Sequence, residues 1–327
     1  MKTPKVSVIV PNYNHARFLD QRLSSIFAQT FGDFELLFLD DASTDDSRSV
    51  FEKYAGDPRV RAIFNSSNGG STFKQWNRGV REASGEYIWI AESDDYADPR
   101  LLAELISQLE QHASCGIAYC QSVEVDDQGN IGRNLQWTTD QLDPTRWERD
   151  YTNSGADECC RFLLIGNTLP NASAVVFRRA LYNQVGGADE SMKLCGDWLL
   201  WTELLAISDL AYVAEPLNFF RQHDATVRSH RSNTLLAILE RYKIMESIVR
   251  RNMVPVTLLE PACQKMADIW EYHSHLDPAS SLGMQWKVYR EAVKVDSRIT
   301  RRLYLKTIQP WLGSIKNRLL KRTAPRR

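Results

Sequence analysis

The chain has 327 residues, and its 40 Lys and Arg against 41 Asp and Glu give a formal net charge of −1. That balance excludes a generally basic nucleic-acid binder and a highly charged disordered chain, so no nucleic-acid partner is expected. The charge is unevenly spread: residues 294–327 hold 11 basic residues and one acidic one, +11 − 1 = +10, which leaves −1 − 10 = −11 on the first 293.

With 43% hydrophobic residues the chain can bury a substantial core. Its longest apolar runs, such as Leu36–Leu39 and Tyr87–Ala91, fall far short of the roughly 18 to 20 residues that span a bilayer. Met1-Lys2-Thr3-Pro4-Lys5 leads straight into a β-branched run, without the apolar stretch and small-residue cleavage site of a secretory signal, so a cytoplasmic protein is expected. The six cysteines contain no CxxC pair, which favours reduced thiols over disulfides or a zinc site.

Along the chain, short apolar runs alternate with helical spacing. Val6–Val10 reads as a buried strand, and residues 16–28 as a helix with Phe18, Leu19, Leu23, Ile26 and Phe27 on its apolar side. Phe34–Leu39 is a second strand. The Asp40-to-Asp45 cluster after it offers Ser43 or Thr44 as N-cap for a helix through Val50, Phe51 and Tyr54. Val60–Phe64, Thr72–Ala83 and Tyr87–Ala91 continue as strand, helix and strand. This rhythm predicts an α/β fold with a mainly parallel sheet covered by helices on both faces, and places ligands beyond the carboxyl ends of the strands.

Pro99 opens a helix through Leu109, Gly116–Cys120 is a strand, and Asp126-Asp127-Gln128-Gly129-Asn130 is a hairpin turn. Residues 132–153 read as a loop. A helix near Asp157–Leu164, a strand near Ser173–Phe177, a helix from about Asp197 and a strand near Leu210–Ala214 follow. Past about residue 230 the pattern turns helical, over 235–249, 256–270 and 286–295.

Acidic and small polar residues collect where the strands end: Pro11-Asn12-Tyr13-Asn14, Asp40-Asp41, and Glu92-Ser93-Asp94-Asp95. Converging carboxylates repel unless something positive lies among them, which suggests a Mg²⁺ or Mn²⁺ site completed by a ligand's phosphates. Solvated turns and helix caps before Pro99 are the competing explanation.

The ordered set resembles glycosyltransferase family 2, the inverting sugar-nucleotide-dependent transferases with a GT-A fold. The matches are Val6-Ser7-Val8-Ile9-Val10-Pro11-Asn12-Tyr13-Asn14, Gln29-Thr30-Phe31, Asp40-Asp41-Ala42-Ser43-Thr44-Asp45, then Asn77, Gly79, Ala83, Gly85 and Glu86. Glu92-Ser93-Asp94-Asp95, Cys195-Gly196-Asp197-Trp198 and Phe220-Arg221-Gln222-His223 complete it, over about residues 5 to 230. The resemblance implies a Rossmann-like GT-A domain over 1–229, with a nucleotide-binding half (1–115) and an acceptor-binding half (116–229), then a helical extension over 230–327.

It further implies that Pro11, Asn12, Tyr13 and Asp41 hold the base and ribose, and that Glu92-Ser93-Asp94 stands in place of the family's DxD motif. Asp94 and His223 are then the metal ligands, with Glu92, Ser93, Asp95, Asn77 and Arg221 around the nucleotide sugar; Lys74 and Arg78, flanking Asn77, fit either phosphate neutralisation or the solvated face of their helix. Asp197 is the implied general base that deprotonates the acceptor hydroxyl; a capping role for it on the following helix is compatible with this. Many members carry Glu before this Asp, where this chain has Gly196. The implied partners are a nucleoside-diphosphate sugar, UDP favoured, and a glycan or lipid-linked acceptor of cell-surface polysaccharide synthesis.

A sugar nucleotidyltransferase would show a Gly-rich basic loop where Pro11-Asn12-Tyr13-Asn14-His15 stands, and a nicotinamide enzyme a GxGxxG. A non-catalytic nucleotide-sugar-binding protein is the other alternative. In residues 310–322, Trp311, Ile315 and Leu319 alternate with Lys316, Arg318, Lys321 and Arg322, the pattern of a basic amphipathic helix. It fits either an anionic membrane surface on the cytoplasmic face or a helix docked on the acidic body.

Overall fold

The computed structural model describes residues 3–223, 234–276 and 282–304. The chain divides into two compact units, Met1–Ser229 and His230–Arg327. In the first, β1 (Val6–Asn12), α1 (Ala16–Phe27), β2 (Phe34–Asp40), α2 (Ser47–Glu52), β3 (Val60–Phe64), α3 (Thr72–Glu82) and β4 (Tyr87–Ile90) alternate as the apolar pattern predicts. β1 lies between β2 and β4, parallel to both, with Val8 opposite Leu36 and Trp89. Every residue of β1 is buried, because both faces of the sheet are covered. Val6, Val8 and Val10 join a core with α1 and α4 (Leu101–Gln111), while Ile9 on the other face meets α3 at Gly79.

Packing, not capping, holds α1. It has no side-chain N-cap, a contact that contributes about 1 kcal/mol. Its buried Phe18, Leu19, Leu23 and Ile26 are each stabilising by roughly 1.5–3 kcal/mol.

The remaining strands are β5 (Tyr96–Ala97), β6 (Cys115–Val125), β7 (Ile131–Asn134), β8 (Tyr151–Asn153), β9 (Val175–Arg178) and β10 (Asp209–Arg221). The sheet order is β3-β2-β1-β4-β9-β6-β10-β5, with β7 on β6 and β8 on β10. β9 fills the slot between β4 and β6 and runs antiparallel to both, whereas β6 and β10 are parallel. The carboxyl ends of β1, β2, β4, β6 and β10 therefore share one edge.

Several expectations give way to the structure. α2 starts at Ser47, not behind Ser43 or Thr44: Asp45 Oδ1 accepts from Ser47 N (3.0 Å), and the Ser43 hydroxyl serves the β1 loop instead. The predicted loop over 132–153 contains the end of β7, two 3₁₀ turns (Leu135–Thr138 and Arg146–Glu148) and β8. β7 is fully exposed and so leaves no apolar signature. β10 runs on to Arg221 because its pairing with β6 tolerates irregularities around Pro216, the residue that makes the sequence look broken there. The segment before Leu164 is a short α5 (Gly155–Asp157) continuing as a π-helix over Glu158–Leu163. α6 (Arg179–Val185) was not anticipated, and α7 (Gly196–Leu205) begins at the predicted place. All six cysteines are free thiols.

The second unit consists, among the described residues, of α8 (Thr234–Arg251), α9 (Val256–Leu276), α10 (Leu282–Val295) and α11 (Ile299–Leu303). Tyr242, Ile248, Ala267, Val288, Ala292 and Ile299 form its interior. Trp270 Nε1 donates to Gln285 Oε1 (2.6 Å), and Arg302 Nε to Asp296 Oδ2 (2.8 Å). The basic amphipathic segment at 310–322 lies outside the described residues. Among those described, no helix is long and apolar enough to cross a membrane.

Candidate active site at the carboxyl edge of the sheet

The turns after β1 and β2 are bound to each other. Asn12 Nδ2 donates to Asp40 Oδ1 and Ser43 Oγ (3.1 Å each), Thr44 N to Asn14 Oδ1 (2.8 Å), and Ala16 N to Asp45 Oδ2 (2.8 Å). Asn14 and Ala42 have φ of 58° and 61°. For an alanine this left-handed conformation costs on the order of 1 kcal/mol, and it directly follows Asp41. The Asp41 carboxylate is buried and accepts from Asn65 Nδ2 (2.6 Å), Gly69 N (3.0 Å) and Gln75 Nε2 (2.7 Å). Pro11 is buried beside it in the chain end of β1, while the Tyr13 ring is 44% exposed, which rules out core packing for that ring.

In the acidic cluster the four residues face different ways. Glu92 Oε1 accepts from Trp76 Nε1 on α3 (2.8 Å). Part of the residue reaches solvent, yet burial of its carboxyl, reinforced by Asp94, pushes the pKa up to about 8. Its carboxyl is turned to the protein, where burial disfavours the charged form. Asp95 is buried, bonded to Asn171 Nδ2 (3.1 Å) and Arg221 N (2.9 Å), and burial together with Asp94 raises its pKa. Under the cluster lies Arg22 from α1, 0% exposed, whose Nε donates to the Glu92 carbonyl (2.8 Å) and whose Nη2 stands 3.9 Å from Asp95 Oδ2. Part of the positive charge that the cluster demands therefore comes from the chain itself.

Asp94 is the member left at the opening. Its Oδ2 is 3.0 Å from His223 Nε2. Burial opposes its charge, but the His223 hydrogen bond and the two nearby imidazoles outweigh it and hold the carboxyl below its usual range. The second imidazole is His15, between the β1 turn and α1; its Nδ1 lies 2.8 Å from Ser93 Oγ, and burial lowers its pKa against the pull of Asp94. One donor atom each from His15, Asp94 and His223 lie within 4.8 Å of one another.

Asp197 sits in the first turn of α7, 6% exposed, and its Oδ2 accepts from Asn167 Nδ2 (3.2 Å). Asn167 is itself fixed, its Oδ1 accepting from Leu169 N (3.2 Å). The glycine before Asp197 has a steric cause: a Cβ on Gly196 would come within 2.5 Å of the Phe73 ring of α3. Gly196→Ala is expected to cost about 1–3 kcal/mol through this overpacking, and Phe73→Leu in the same chain to recover part of it. Thermal unfolding of both variants checks this, and a wild-type midpoint for Gly196→Ala would remove the explanation. The same α3 presents Trp76, 6.3 Å from Trp201 of α7 by ring centroids, so α7 and the acidic cluster share a helix as common support.

Two residues expected around the nucleotide sugar are occupied elsewhere. Asn77 donates to the Ala188 carbonyl and Glu190 Oε1 (2.9 Å each) and accepts from Tyr182 Oη (2.6 Å), latching α3 to the turn after α6. Arg221 donates to the carbonyls of Asp94 (2.9 Å) and Asp126 (2.7 Å) and to Gln21 Oε1 (2.6 Å), beneath the cluster rather than towards a ligand. Lys74 donates to the Gly69 carbonyl, and Arg78 to Asn65 Oδ1. Sequence reasoning missed His15, Arg22 and Asn167; an arginine on the apolar side of α1 was a readable signal for the second of these.

Residues 7–166 match the sequence profile described as glycosyl transferase family 2. The chain carries a family 2 glycosyltransferase domain. An uncharacterized glycosyltransferase of Nostoc is 28% identical over 233 residues, 68% of this chain and 66% of that protein's length. Among solved structures, the chain resembles residues 1–349 of TarS from S. aureus in complex with UDP-GlcNAc, with a TM-score of 0.67 at 17% identity, covering 91% of this chain and 84% of the other. It also resembles the mannosyltransferase PcManGT of Pyrobaculum calidifontis in complex with GDP-Man and Mn²⁺, with a TM-score of 0.55 at 16% identity, covering 96% and 81%. At such identities the likeness establishes the fold, GT-A, with the helices of the second unit following it.

Proposed function

We propose that the chain transfers a sugar from a nucleoside-diphosphate donor, UDP favoured, to a hydroxyl of a glycan or lipid-linked acceptor, with inversion and with a divalent cation. The observation that carries this is the Asp94–His223 pair, 3.0 Å apart, on the same sheet edge as the Asp41 cradle and the open Tyr13 ring. The base would stack on the open Tyr13 ring beyond Pro11, with Asp41 accepting from base or ribose in place of its internal amide partners and Asn12 holding the turn. Asp94 and His223 would hold the cation; a carboxylate with an imidazole suits Mn²⁺, and the carboxylate alone Mg²⁺. Such a cation offsets the charge that develops on the departing diphosphate. Ser93 orients a neighbouring imidazole, Glu92, Asp95 and Arg221 brace Asp94 from behind, and Asn77 fixes α3 to the turn after α6. Asp197 removes the proton of the incoming hydroxyl on the face opposite the leaving group, which inverts the anomeric centre.

Thermal shift of the full chain with UDP-, GDP- and dTDP-sugars, with and without Mn²⁺, tests the reading. A stabilisation of about 2.7 kcal/mol is expected at a hundredfold excess over Kd for the true donor, larger with Mn²⁺ than without. No response to any nucleotide sugar would overturn it.

A further inference from the structure

The metal reading uses two side chains, yet a third potential donor, a second imidazole, stands at the same place. His15 occupies the N-cap position of α1 but makes no capping bond; the Ala16 amide is taken by Asp45 instead. Its ring is therefore not engaged in holding the helix. It is held edge-on to His223, with ring centroids 5.7 Å apart, and both imidazoles rest on the buried Phe18 ring at 6.2 and 5.3 Å. Ser93 Oγ occupies Nδ1, which leaves Nε2 as the nitrogen available to a cation. A hydrogen-bonded far nitrogen is the usual way a liganding imidazole is fixed in tautomer and orientation. The three groups arrive from the β1 turn, the end of β4 and the end of β10, and one donor atom of each, a ring nitrogen for the histidines, falls within 4.8 Å of the others.

Resting on the metal reading above, we propose that His15 Nε2 is a third protein ligand, so that two imidazoles and one carboxylate select a borderline transition ion such as Mn²⁺ or Co²⁺ over Mg²⁺. Imidazole nitrogen raises affinity for transition ions, while Mg²⁺ prefers an all-oxygen shell. With only Asp94 anionic, the loaded site keeps a net positive charge, which suits a diphosphate.

The test is a Co²⁺ titration of the full chain with and without UDP, followed by visible absorption, with Mn²⁺ and Mg²⁺ measured by competition. His15→Ala is expected to weaken Co²⁺ and Mn²⁺ binding at least tenfold or so and to shift the Co²⁺ bands, leaving Mg²⁺ within about twofold. Ser93→Ala keeps the ring but removes its orienting partner, and a loss of about 10- to 100-fold is expected from it. Circular dichroism and the unfolding midpoint identify a variant that fails to fold, in which case Ser93→Ala with the same titration decides. Unchanged Co²⁺ affinity and bands in folded His15→Ala overturn the third ligand while leaving Asp94 and His223 in place. Wild type that binds neither Co²⁺ nor Mn²⁺, even with UDP, overturns the metal reading itself.

Discussion

Asp197→Asn is expected to lower the transfer rate by about 10²–10⁴, the range a positioned general base contributes, while donor binding stays as in wild type. The substitution keeps shape and burial. Asn167 Nδ2, 3.2 Å from Oδ2, still finds an oxygen when the new amide turns the right way. The first turn of α7 loses one favourable charge against its dipole, about 0.3–1 kcal/mol, so the protein remains folded. What disappears is the ability to take a proton. Initial rates with saturating donor and acceptor, set beside the UDP-sugar thermal shift, separate the two effects. Full turnover in Asp197→Asn would show that the carboxylate only starts the helix, and a lost thermal shift would place it in donor binding instead.

The repeating strand and helix pattern over residues 6–91 was legible because each apolar run is bounded by turn residues and each helix buries an apolar side. The edge where the candidate side chains gather followed from that rhythm alone. The division of labour inside Glu92-Ser93-Asp94-Asp95 was not legible. These residues lie beyond β4, where no alternation of faces applies, so spacing is silent about direction. Glu92 turns to the Trp76 indole, Asp95 to Asn171 and Arg22, Ser93 to the His15 imidazole and Asp94 to that of His223. Arg22 was countable among Phe18, Leu19, Leu23 and Ile26 on the buried side of α1, and a charge at that position should have announced a buried countercharge. His15 read as a loop residue, since its partner lies 78 positions away in Ser93. Asn167, 30 positions before Asp197, gave no periodic signal at all. The direction of β9 was hidden for a related reason: Val175, Val176 and Phe177 are buried whichever way the strand runs.

Asp94→Ala is expected to abolish both the Mn²⁺-dependent part of the UDP-sugar thermal shift and detectable transfer, a loss of at least about 10³, or roughly 4 kcal/mol of transition-state stabilisation. Of the three carboxylates, Asp94 is the one paired with an imidazole: Glu92 is turned to the Trp76 indole, and Asp95 is buried against Arg22 and Arg221. Neither can slide forward without leaving Trp76 or Arg22 unpaired in a buried setting. Folding is spared, because the removal takes one negative charge from a crowded acidic cluster and so relieves repulsion on both neighbours. Asp94→Asn sharpens the comparison, since the amide keeps a hydrogen bond to His223 but supplies no charge; it should behave as Asp94→Ala does. Retained Mn²⁺ dependence in either variant would move the cation away from this edge of the sheet, and retained transfer without any metal response would show that the cluster, with Arg22 beneath it, is structural.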